Sequence, residues 1–96
     1  MAAYLIAEIE VRDATGYEAY RRSVGATLPP FGGRFLVRGG ITETIEGDWI
    51  PQRVVVIEFP STERARAWWS SAEYGAARAI RQRTATTRMI IAEGVG

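Results

Sequence analysis

The chain contains no cysteine, no histidine and no lysine. Without cysteine there can be no disulfide, no thiolate nucleophile and no Cys-held zinc or iron–sulfur centre. Without lysine, Schiff-base chemistry is closed. The lack of histidine removes the usual general base near neutral pH, a common transition-metal ligand and the usual haem ligand. What remains for chemistry is Asp, Glu, Tyr, Arg, Ser and Thr, and the carboxylates are scattered rather than grouped for a metal. We therefore expect neither a metal site nor a cofactor.

Long apolar runs are missing as well. No stretch approaches the roughly 20 residues that a membrane helix needs, so no membrane partner is expected. The N-terminus enters a strand pattern at once, without the basic stretch and apolar core of a secretory leader, and the location is read as cytoplasmic. The 12 basic residues nearly balance the 11 acidic ones, and the basic residues, all arginine, are spread along the chain. That distribution gives no footprint for a polyanion. Residues 1–96 read as a single domain. A domain this short buries only about 60–65% of its unfolded surface, which favours association.

The patterning that is present alternates between strand and helix periods. Tyr4 to Val11 places Leu5, Ala7, Ile9 and Val11 on one face and Tyr4, Ile6, Glu8 and Glu10 on the other. Asp13 can cap a helix over Ala14–Thr27, in which Tyr17, Tyr20, Val24 and Leu28 recur at helical spacing until Pro29 and Pro30 stop it. Arg34 to Arg38 alternates again, with Phe35 and Val37 opposite Arg34, Leu36 and Arg38. Gly39 and Gly40 suggest a bulge or a close backbone approach, after which pairing resumes through Ile41–Glu46 as an extra hairpin strand. Arg53 to Phe59 is the most β-branched run and reads as a central strand. Ser61 caps a short helix and Ser71 a second one, with a kink between them, and Arg88 to Glu93 forms the last strand.

The order β, α, β, optional strand, β, α, β is the ferredoxin-like βαββαβ pattern, an α+β fold with helices on one face of an antiparallel sheet. The other face stays open. Whichever alternate set of the first strand lies there, together with the central valines it is too apolar for water and should meet a second copy. A symmetric homodimer is the expected assembly. An RNA-recognition role is not expected, because Arg53–Phe59 carries aliphatic residues where such a domain displays stacking aromatics.

Several strings carry a resemblance: Tyr4-Leu-Ile-Ala-Glu8, Gly32-Gly-Arg-Phe-Leu-Val-Arg-Gly-Gly40, Glu46-Gly-Asp-Trp49, Val56-Ile-Glu-Phe-Pro-Ser61, Ser71-Ala-Glu-Tyr74, Arg81 and Ala92-Glu-Gly94. Together they resemble the domain of unknown function 1330 family, in the dimeric α/β-barrel superfamily, over almost the whole chain. The resemblance implies two ferredoxin-like sheets packed face to face as a barrel with helices outside. It implies no one activity, since superfamily relatives range from cofactor-free monooxygenases to haem degraders and lactone isomerases. The haem degraders rely on histidine, which this chain lacks.

Arg38, beside Gly39 and Gly40, is the first candidate for ligand binding: a guanidinium next to exposed backbone N–H groups can hold a carboxylate or phosphate. The structural alternative is an ion pair with Glu43 or Glu58. Glu58, at the end of a buried strand, is a candidate base, or else the partner of Arg38 or Arg81. Tyr20, Trp68, Tyr74 and Arg81 could wall a pocket with an aromatic face and a cationic end, with Tyr74 the second catalytic candidate; core packing would explain the aromatics equally. Trp49 suits a dimer or a ligand contact. Two functions fit this set: a cofactor-independent enzyme, monooxygenase- or isomerase-like, on a small anionic organic molecule, and a noncatalytic ligand-binding or assembly domain.

Overall fold

The structure is a computed structural model describing all residues, Met1–Gly96. Strand β1 (Ala3–Val11) leads through the Asp13 cap, whose carboxylate accepts from Gly16 N–H, into helix α1 (Ala14–Ser23). Strands β2 (Arg34–Arg38) and β3 (Val54–Phe59) follow, then helices α2 (Thr62–Ser70) and α3 (Ala72–Thr84), and finally β4 (Ala85–Glu93). The strands form one antiparallel sheet in the order β2-β3-β1-β4, the ferredoxin-like arrangement.

Alternation decides which face is covered. Leu5, Ala7 and Ile9 of β1 and Val55, Ile57 and Phe59 of β3 are buried beneath the helices with Tyr17, Tyr20, Trp68 and Tyr74. Their neighbours form the open face. There Val37, Val56, Ile6 and Ile90 pair across all four strands as one apolar row. The row is bordered by an Arg34–Glu58 ion pair (2.8 Å) on one side and by the Glu8–Arg88 pair on the other.

Three boundaries differ from the sequence reading, each for a physical reason. Helix α1 ends at Ser23 rather than Thr27, because Pro29 and Pro30 offer no N–H to the carbonyls of Gly25 and Ala26. The remaining donors, Thr27 and Leu28, close tighter turns onto Val24 and Gly25 instead. The expected strand over Ile41–Glu46 does not form: residues 39–53 run as an irregular loop, with Ile41, Ile45 and Ile50 exposed. Strand β4 begins three residues early, at Ala85, because β1 extends to Val11 and supplies a partner there. Ser71 breaks α2 from α3 as expected, accepting from Tyr74 N–H and donating to the Trp68 carbonyl.

The bulge expected at Gly39–Gly40 lies earlier, between Phe35 and Val37. It reverses the alternation of β2. Phe35 sits opposite Ile57 on the helix face, Val37 opposite Val56 on the open face, and Arg38 opposite Val55, back on the helix face with Phe35.

Candidate ligand pocket

Three buried polar side chains are joined in a chain under the helices. The Tyr20 and Tyr74 hydroxyls lie 2.9 Å apart, and Arg81 Nε donates to the Tyr74 oxygen at 3.1 Å. Trp68 stacks on Tyr74 with ring centroids 3.9 Å apart and anchors its indole N–H on Thr27 Oγ1. The Ser71 cap sets this geometry, because it starts α3 so that Tyr74 and Arg81, two helical turns apart, both face the sheet. Burial and the neighbouring Tyr74 phenol push the Tyr20 hydroxyl far above its ordinary value. Tyr20 is therefore a proton donor at any working pH. With Arg81 donating to Tyr74, the Tyr74 proton can go to Tyr20, which frees the Tyr20 proton for a ligand.

Tyr20 and Trp68 line an inner cavity between α1 and the sheet, with Leu5, Val24, Val55, Ile57 and Met89. Its enclosed part has ≈ 20 Å³ for the centres of water-sized molecules, room for about one water. The rim is cationic: Arg21, Arg38 and Arg53 line it, and no acidic residue does. Arg21 is paired with Glu18, but no carboxylate pairs with Arg38 or Arg53. Arg38 stacks on Phe35 (4.3 Å to the ring centroid) and donates to the Arg21 carbonyl oxygen. Arg53 lies over Tyr17, and its Nε is buried with no hydrogen-bond partner. Burial pushes the Tyr17 phenol up as well, with the Arg53 guanidinium opposing the shift.

The structure gathers Tyr20, Trp68 and Arg38 about one cavity, sets Tyr74 behind Tyr20, and separates the other candidates from it. Neither Glu43 nor Glu58 pairs with Arg38, and Arg81 pairs with no carboxylate. Glu58 lies on the opposite face of the sheet, bound to Arg34. Gly39 does not offer its N–H as an anion cradle, since that N–H donates to the Val54 carbonyl. Its role is steric: φ is +71° and a Cβ there would stand 2.0 Å from Arg53 Nη1. Gly40 is exposed, with open space around it. Arg81 turns to a second, wider pocket between α2, α3 and β4, also lined by Trp69 and Thr87. Sequence reasoning missed Arg53, Tyr17 and Thr87. Only the β2–β3 register, which sets Gly39 against the start of β3, brings Arg53 to the rim.

Sheet order and cavity together define a ferredoxin-like domain that holds its pocket between helices and sheet. The chain belongs to the family described as Domain of unknown function (DUF1330), whose model matches residues 2–95. No curated protein matches the sequence. Among solved structures it resembles a protein of unknown function from Rhodopseudomonas palustris, with a TM-score of 0.78 and 21% identity over 99% of this chain and 83% of that one. It also resembles SnoaB, a cofactor-independent oxygenase from Streptomyces nogalater, with a TM-score of 0.70 and 11% identity over 99% of this chain and 94% of that one. A third likeness is a dimeric protein of unknown function and ferredoxin-like fold from Bacteroides fragilis, with a TM-score of 0.57 and 14% identity over 97% of this chain and 96% of that one. At these identities the likenesses establish the fold.

Proposed function

We propose that the protein is a homodimer that binds a small anionic organic molecule at the inner cavity of each protomer. The observation that carries the reading is a cavity with apolar and aromatic walls whose rim bears two arginines, Arg38 and Arg53, without acidic partners. Such a site favours a ligand whose ring or chain enters over Phe35 and Trp68 while its anionic group stays at the rim. Tyr20, backed by Tyr74, supplies the hydrogen bond that orients it. The enclosed space is small, so entry requires Phe35 and Arg38 to move apart. Both side chains are accessible at the edge strand β2. The apolar row on the open sheet face is the surface that the second copy would cover.

A second reading, cofactor-independent oxygenation of that ligand, is favoured by the buried phenol pair and by the likeness to SnoaB. Tyr20, backed by Tyr74, would then hydrogen-bond the substrate oxygen at which charge develops. Glu58, on the opposite face, falls outside this site and would lie in the dimer interface.

The test is a thermal-shift screen of carboxylic acids and acidic phenols, run in parallel on the wild type and Arg38→Ala. Hits that raise the wild-type midpoint by several degrees and lose that shift in Arg38→Ala support the site. A screen in which no hit depends on Arg38 contradicts it. Oxygen uptake with the Arg38-dependent hits, abolished in Tyr20→Phe, would add catalysis to binding, and binding without uptake would leave the noncatalytic domain.

A further inference from the structure

Beyond Leu5 and Met89, which line both spaces, the second pocket opens between α2, α3 and β4 with a volume of ≈ 430 Å³. The function proposed above does not use it. Arg81 lines this pocket although only 4% of its surface is exposed. Its Nε is committed to the Tyr74 oxygen, while its two terminal nitrogens make no hydrogen bond within the chain and no carboxylate pairs with it. The side chain is otherwise buried and has no counter-charge, so the free donors that it presents at the pocket wall mark a place for an anion. Thr87 is an independent second sign: it lines the same pocket, and its hydroxyl is buried with no hydrogen-bond partner.

We propose that this pocket is a binding site for a small monocarboxylate with a ring or a branched apolar body. Because Tyr74 occupies Nε, the carboxylate meets the end-on edge formed by the two terminal nitrogens, where a planar anion is held by two parallel bonds. Thr87 donates its hydroxyl to the same carboxylate. Trp69, Met89 and Ile91 supply the apolar wall for the body of the ligand. No acidic residue lines the pocket, and a second arginine, Arg66, stands at its exposed rim. Phosphate is a poorer fit than a carboxylate, because most of the lining is apolar.

Titration of the intact protein with benzoate, followed through the indole N–H resonances, tests the assignment, with benzyl alcohol as the neutral isostere. Saturable binding of benzoate that moves the Trp69 resonance, with no saturation by benzyl alcohol, is expected. Arg81→Met should weaken benzoate by at least about tenfold and Thr87→Val by about threefold to tenfold. Thr87→Val keeps the side-chain shape and removes an unsatisfied hydroxyl, so it should fold and decide the matter even if Arg81→Met does not. Benzoate and benzyl alcohol binding alike, benzoate failing to saturate, or benzoate affinity unchanged in a folded Thr87→Val would each overturn the site. Affinity that falls instead in Arg38→Ala would place the carboxylate at the inner cavity and overturn it too.

Discussion

At the scale of single residues, stability and ligand binding rest on buried groups whose partners are few. Tyr20 is held neutral by burial, so folding keeps a proton on it that the unfolded chain, with an ordinary phenol near pH 10, releases. Its contribution is therefore complete below about pH 10 and is lost as pH rises above that value, at about 1.4 kcal/mol per pH unit for one such group. Denaturant unfolding across alkaline pH should show this fall, and Tyr20→Phe should make it shallower, leaving the share from Tyr17, while costing about 1 kcal/mol at neutral pH for the lost hydrogen bond. Gly39→Ala forces a side chain into a left-handed backbone position and onto Arg53, so we expect a loss of about 1–3 kcal/mol by the same measurement. Arg38, Tyr20, Trp68, Tyr74 and Arg81 could be marked from the sequence, because a guanidinium or an aromatic at helical spacing stands out. Their grouping could not: Tyr20 and Tyr74 meet across α1 and α3, and Arg81 turns to a pocket of its own. Arg53 was illegible for the same reason, since a residue at the head of a β-branched run gives no sign of the glycine it will pack against.

At the scale of elements, the alternation of β1 and β3 was legible because each strand has one buried face and register is therefore strongly specified. The bulge in β2 was not, since Arg34–Arg38 reads as regular alternation and only the paired strand reveals the skipped residue. That one residue carries Arg38 to the cavity side. The loop over residues 39–53 misled the reading because its isoleucines and threonines have strand propensity, yet Gly39 turns the chain out of the ladder and no strand lies opposite. Trp49 fixes the loop on the sheet by donating its indole N–H to Glu8 Oε2 at 2.7 Å. This bond and those from Arg88 hold the Glu8 carboxyl below its usual range. The anchor is therefore present above the ordinary Glu value and weakens as pH falls through the lowered one. We expect the Trp49 indole resonance to shift on acidification, and Trp49→Ala to raise the rate of proteolytic cutting within residues 40–52 several-fold, as read by limited proteolysis.

At the scale of the whole molecule, the open sheet face presents an apolar row across all four strands. Ile90 is 61% exposed in the protomer, so its substitution removes little from the protomer core. If a second copy covers that face, Ile90→Asp should leave the fold intact by circular dichroism while weakening self-association by at least about tenfold in sedimentation, because it puts a charge into an apolar row. The ferredoxin-like architecture was legible from element order alone, and the prediction of an apolar outer face followed from strand alternation.

The most direct measurement is native mass spectrometry of the protein as purified, beside Arg38→Ala. We expect the mass of two chains, with a small-molecule adduct on the wild type that Arg38→Ala loses while remaining dimeric. A monomer at micromolar concentration, or a dimer whose adduct survives Arg38→Ala unchanged, would contradict the account.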